Sequence, residues 1–262
     1  LKKYFTILIA FCSFYSNAQK AVFSSQNNAV TRVVQSQLAA TVISNGLIQY
    51  FDANNSSSYG GSGNIWTDIV GGNNGSIVGG TFTTSGGVSF FNFPTASVAS
   101  YVSAPVAKST SMTFNVWAKG NSATVPGCML FNAGLAGAGP DLFFSGGGIY
   151  WNVWDGGNTP FRDAGNATVS TSIAANTNWH NYTVVVDAVG NNAKLYFDGV
   201  WMGTSTYRSP TASTALYIGS AGLSDASWNW LGGISIFQTY SRALSAAEVN
   251  TNFNASKSRF GF

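Results

Sequence analysis

The segment IYWNVWDGGNTPFRDAG, residues 149–165, gathers the side chains from which a sugar site is built: Tyr150, Trp151, Trp154, Asp155, Arg162 and Asp163. Aromatic faces stack on pyranose rings, and carboxylate and guanidinium groups bond the hydroxyls around them. Alternation along a strand puts Trp151 with Ile149 and Val153 on one face, toward a core. Trp154 then shares the other face with Tyr150 and Asn152 and is the exposed platform. Tyr150, Trp154, Asp155, Arg162 and Asp163 form the expected ligand-binding set. The SWNW pair, Trp228 and Trp230, on a loop ahead of LGGISIF, is a second aromatic candidate.

A second stretch, DIVGGNNGSIVGG at residues 68–80, could hold an ion. It is not a phosphate cradle, because no Lys-Ser or Lys-Thr opens a helix after the glycines. An EF-hand fails too, since Val70 and Gly72 stand where oxygen ligands belong. Two readings stay open: a turn between strands, or a calcium site with Asp68, Asn73 and Asn74 as ligands. Calcium is the only candidate cofactor.

Hydrolytic chemistry finds little support in the residues. Glycoside hydrolysis needs two carboxylates roughly 5 to 10 Å apart. Glu248 is the only glutamate and follows Ser245 by three residues, as in a capping box. No two of the eight aspartates stand at i, i+2 on a strand. His180 is the sole histidine, at the start of a strand, and reads as structural. No G-x-S-x-G elbow is present, and zinc lacks enough His and Cys ligands. The expectation is a binding module that is not an enzyme, with glycoside hydrolase the weakest reading.

Strands must position these groups. The 262 residues are 45% hydrophobic and 15% aromatic but only 8% charged, with 30 glycines. That composition supports a core and many turns. Short β-branched and aromatic runs recur from Gly46 onward, among them VSFFNF, MTFNVWAK, CMLFN, NYTVVVD, AKLYFDG and GGISIFQTY. In MTFNVWAK, Met112, Phe114, Val116 and Ala118 point one way, and Thr113, Asn115 and Trp117 the other. Asp198-Gly199 marks a hairpin turn, and SAAEVNTNF a C-terminal helix. Cys128, in CMLF, reads as a buried structural thiol.

The N-terminus has the layout of a secretory leader: Lys2 and Lys3, an apolar run, then small residues at Ser16 and Ala18, with cleavage before Gln19. Phe11 ahead of Cys12 argues against a lipoprotein anchor. The formal charge of +3 includes Lys2 and Lys3, so the mature chain is nearly neutral and no nucleic-acid surface is indicated. No membrane span is expected in the mature chain. The domains are therefore a signal peptide (1–18), a tether or short helix (19–45) carrying Val30, Val33, Val34 and Leu38, and one β-sandwich (46–262).

Several segments, in order, resemble the concanavalin A-like lectin/glucanase superfamily, in its laminin G-like form. They are GLIQYFDANNSSSYGGSGNIWTDIVGGNNGSIVGG, NWHNYTVVVD, KLYFDGVWMGTS, LYIGS and GGISIFQTYSRALSAAEVNTNF. The resemblance implies an all-β, two-sheet antiparallel jelly roll with a short C-terminal helix. It also implies a further acid for the calcium site just before the Y-x-R-A-L-S segment, where this chain has Ser235 and Ile236. The function expected is an exported module recognising a carbohydrate or a protein partner at the cell surface or outside the cell. The alternative is a structural or adhesion protein of a phage or surface layer, against which the leader argues.

Overall fold

The computed structural model describes residues 41–93, 99–107, 109–122, 128–133, 140–145, 148–153, 176–207, 215–222 and 228–262. The expected leader, and the tether as far as residue 40, lie outside them. A compact unit runs from Val42 to Phe262, and among the described residues no helix is long and apolar enough to cross a membrane.

All strand pairings that build the sheets are antiparallel. Numbered in chain order, the first sheet runs β13 (Val200–Thr206), β12 (Asn192–Phe197), β11 (His180–Asp187), β7 (Met112–Gly120), β15 (Gly232–Tyr240), β5 (Val88–Phe93) and β4 (Thr81–Ser85). Strand β1 (Leu47–Asp52) also pairs with β15. The second sheet runs β10 (Gly148–Val153), β9 (Pro140–Ser145), β8 (Cys128–Asn132), β14 (Ala215–Ile218), β6 (Tyr101–Pro105), β3 (Gly75–Val78) and β2 (Ile65–Trp66). Two sheets that each bury one face must pack together, and the result is the expected jelly-roll sandwich.

Alternation decides what enters the core. Phe114 from β7, Phe131 from β8 and Phe237 from β15 meet between the sheets, with Phe131 4.9 Å from Phe114 and 5.3 Å from Phe237 by ring centroids. Each fully buried phenylalanine contributes about 1.5–3 kcal/mol. Trp151 lies in the same core at 4% exposure, as alternation predicts. Cys128 is buried there too, and burial pushes its thiol well above the usual range, so it is structural and unreactive.

The outward residues of β7 are buried as well, and the chain's end is the reason. Helix α1 (Ala246–Ser256) starts on the expected box: Ser245 Oγ accepts from the Glu248 amide, and a Glu248 carboxylate oxygen accepts from the Ser245 amide at 2.8 Å. Arg242 grips the same carboxylate at 2.6 and 3.0 Å. A 3-10 turn (Lys257–Phe260) follows, and Phe260 stacks on Trp117 with centroids 4.0 Å apart and planes 10° apart. Arg259 ties the turn to Asp52 of β1 at 2.7 Å. Asn115, also facing outward, accepts from Asn181 Nδ2 at 2.9 Å and from Thr183 Oγ1, and donates to Gln238 Oε1 at 2.7 Å. These bonds pair the Asn115 and Asn181 amides, which burial would otherwise make costly, while Gln238 is engaged through its Oε1 alone.

The predicted hairpin is present, with φ of 50° at Asp198 and 76° at Gly199. Asp198 does more than turn the chain. Its carboxylate accepts from the Asn181 amide at 2.8 Å and pairs with His180 Nδ1 at 2.7 Å. His180 Nε2 faces Asn176 Oδ1 at 3.2 Å, and the ring packs on Phe197. Both ring nitrogens are therefore engaged in holding the start of β11.

Candidate functional site

In the glycine-rich loop, Asp68 is an internal acceptor. One carboxylate oxygen accepts from the amides of Tyr50 (2.9 Å) and Val70 (3.1 Å), and the other from Gly71 (3.1 Å) and Asn73 (3.0 Å). Asn74 Oδ1 accepts from the Asp68 amide at 3.0 Å. An ionised carboxylate offers about four lone-pair sites, and four N–H groups fill them. Gly71 packs so closely that a Cβ would strike the Ile48 carbonyl oxygen, and Gly72 has a φ of 70°. The loop is thus folded around its own carboxylate. Asp68, Asn73 and Asn74 do not fit a calcium ion in this arrangement, because the anionic oxygens already serve backbone donors. The physical reason is local: a turn rich in free amides captures the nearest carboxylate.

The two outer faces of the sandwich differ. That of the first sheet lies under α1 and the 3-10 turn across β7 and β15. On the second sheet, a row of polar side chains crosses the strands in register: Asp141 opposite Asn132, Asn132 opposite Tyr217, Tyr217 opposite Ser103, and Ser103 opposite Ser76. Strands lie about 4.8 Å apart, so these four steps span about 19 Å. Exposure rises along the row: Asp141 and Asn132 are buried, Tyr217 and Ser103 half-buried, and Ser76 exposed.

Aromatic groups flank the row. Tyr150 stacks on Phe143 at 5.2 Å and 14°, and Trp228 meets Phe143 edge-on at 6.1 Å. Met129 and Ala221 complete this cluster. At the other end, Tyr101 and Tyr217 meet edge-on at 5.6 Å. Burial pushes the Asp141 carboxyl well above the usual carboxylate range. Hydroxyl-bearing side chains beside aromatic rings on a strand face suit a polyhydroxylated ligand.

Of the expected ligand-binding residues, Tyr150 lies on this face, half-buried, as alternation predicts. Trp154, Asp155, Arg162 and Asp163 lie outside the described residues. The SWNW pair divides: Trp228 joins the outer cluster, whereas Trp230 is wholly buried in the main core, which removes it as a platform. Sequence reasoning passed over Asp141, Asn132, Tyr217 and Ser103. Parity within PDLFFS separates Asp141 and Phe143 from Leu142 and Phe144, but the pairing with Asn132 and Tyr217 depends on strands far apart in sequence.

Fold and site together define a two-sheet jelly-roll sandwich with a polar and aromatic outer face. The chain belongs to the Concanavalin A-like lectin/glucanases superfamily, whose laminin G-like family model matches residues 94–250. No curated protein shows significant sequence similarity to the chain. A Trypanosoma rangeli sialidase in complex with the inhibitor DANA matches with a TM-score of 0.61 at 16% identity, over 84% of this chain and 34% of that one. A mutant of that sialidase displaying trans-sialidase activity matches with a TM-score of 0.59 at 17% identity, over 85% and 35%. Domain 4 of AbnA, a GH43 extracellular arabinanase from Geobacillus stearothermophilus, in complex with arabinotriose, matches with a TM-score of 0.55 at 16% identity, over 78% and 96%. The chain spans about a third of the length of the sialidase chains it matches.

These structures correct the expectation that the chain is not an enzyme. Its sandwich is shared with sialidase chains, one of them a mutant displaying trans-sialidase activity. The carboxylate test applied to the sequence looked for close spacing along one strand. A sandwich brings together side chains from strands distant in sequence, so that test does not separate this chain from hydrolases.

Proposed function

We propose that this is an exported carbohydrate-recognising domain whose ligand lies across the outer face of the second sheet. The observation that carries the reading is the accessible row Tyr217–Ser103–Ser76, set across three strands and flanked by the rings of Tyr150 and Tyr101. A ligand lying perpendicular to the strands would meet a hydroxyl group at each step and stack on rings at its flanks. The complex of the AbnA domain with arabinotriose supports the choice of ligand class. Trp154, Asp155, Arg162 and Asp163 belong to the proposed ligand set together with Tyr150, on the strength of sequence alone.

The test is a glycan array that includes arabinan oligosaccharides and sialylated glycans, followed by calorimetry on the glycans retained, with product analysis for cleavage. Tyr217→Ala is expected to weaken binding by roughly tenfold, about the worth of one aromatic contact. Retention of no glycan, or unchanged affinity in both Tyr217→Ala and Tyr150→Ala, would sink the reading.

A further inference from the structure

The two sheets differ in charge as well as in cover. Strands β1, β7, β11 and β12 of the first sheet carry Asp52, Lys119, His180, Asp187 and Lys194. The seven strands of the second sheet carry Asp141 and no other acid, lysine, arginine or histidine. Asp141 brings no charge to the surface, because it is wholly buried and burial pushes its carboxyl well above the usual carboxylate range. Asn132 stands opposite it in register, and one proton on Asp141 can link the pair. The accessible part of the face continues as Tyr217, Ser103 and Ser76, with Ile65 opposite Ser76 and Val78 opposite Tyr101. Ile65 and Val78 are exposed apolar side chains. Between residues 94 and 231, the parts of the chain outside the described residues add Lys108, Arg162 and Arg208 against Asp155, Asp163 and Asp225, and so no net charge.

We propose, on the basis of the carbohydrate reading above, that this face selects neutral glycans, those without carboxylate, sulfate or phosphate groups. Hydroxyls decide the match. Those of Tyr217, Ser103 and Ser76 both donate and accept, as the hydroxyls of a sugar do. An anionic group only accepts, and it leaves water at little cost only where a cation or several N–H donors receive it. Among the described residues, no strand of this sheet offers a cationic side chain for that role. The rings of Tyr101 and Tyr217, with Ile65 and Val78, instead present apolar surface suited to the C–H faces of uncharged sugars. Arg162 of the proposed ligand set is outnumbered by Asp155 and Asp163, so that set carries no net positive charge either.

The experiment applies the full chain to an array on which neutral glycans stand beside counterparts bearing uronic acid, sialic acid or sulfate. Calorimetry on the retained glycans follows, with arabinotriose and galactotriose as neutral probes and trigalacturonate and sialyllactose as acidic ones. Neutral glycans should bind at least about tenfold more tightly than their acidic counterparts, the worth of one charged group left without a charged partner. Their affinity should change by less than about twofold between roughly 0.05 and 1 M NaCl, since no ion pair is there to be screened. Tyr217→Ala should weaken neutral binding, which locates it on this face. If acidic glycans bind as tightly as neutral ones, lose affinity in Tyr217→Ala and weaken steeply with salt, the face stands and its neutral selectivity is overturned. If no glycan is retained, or neutral binding is unmoved in both Tyr217→Ala and Tyr150→Ala, the face itself fails and the selectivity with it.

Discussion

Replacing Asp68 by Asn tests the account of the glycine-rich loop. The substitution preserves volume and leaves one acceptor oxygen, but it turns the other into an NH2 group. Whichever way the amide is placed, two backbone N–H groups then face a donor: those of Tyr50 and Val70, or those of Gly71 and Asn73. A hydrogen bond to a charged acceptor contributes about 1.5–3 kcal/mol. Two lost bonds at the low end, appropriate to a partly exposed turn, give roughly 3 kcal/mol. For a domain of this size each kcal/mol moves Tm by about 2–4 °C, so the variant should melt roughly 6–12 °C below wild type. The assay is thermal unfolding by circular dichroism in excess chelator, repeated with saturating calcium. The substitution should leave any calcium-induced rise in Tm as large as in wild type. A Tm within 2 °C of wild type in chelator, or loss of a calcium response on substitution, would refute the reasoning.

Other expectations concern the end of the chain. The Arg242 hydrogen bonds, with help from Ser245, lower the Glu248 pKa to about 2. A carboxyl whose folded pKa lies below its unfolded value stabilises fully above the unfolded value, and that contribution is lost as pH falls toward the folded one. Glu248→Gln should therefore cost about 1 kcal/mol at neutral pH and flatten the stability loss between about pH 4.5 and pH 2, as read from urea midpoints across that range. Phe260→Ala removes the ring stacked on Trp117 and should cost roughly 3 kcal/mol, with Trp117 fluorescence shifting to the red as water reaches the indole.

Where a pattern is local, the sequence shows it directly. The split of MTFNVWAK into two faces, the placing of Trp151 in the core and of Tyr150 outside it, the Asp198-Gly199 hairpin and the Ser245–Glu248 cap each follow from residues within a few positions of one another. In each, backbone geometry fixes the outcome: a period of two along a strand, positive φ at a turn, four free amides at a helix start. The all-β class was legible for the same reason.

Tertiary structure decided which outer face is covered and which polar groups meet. Trp117 is outward by alternation, yet only the return of Phe253 and Phe260 over β7 makes it core. Asp68 has oxygen ligands' chemistry, but the Tyr50 amide from β1 helps to occupy it. Asp141 and Asn132 look unrelated along the chain, and a β-bulge between Met129 and Phe131 sets the register that places them side by side. Trp230 seemed equivalent to Trp228 until the fold sent one inward and the other out. Register and layer packing join residues that local periodicity cannot relate, and the candidate site is made of such pairs.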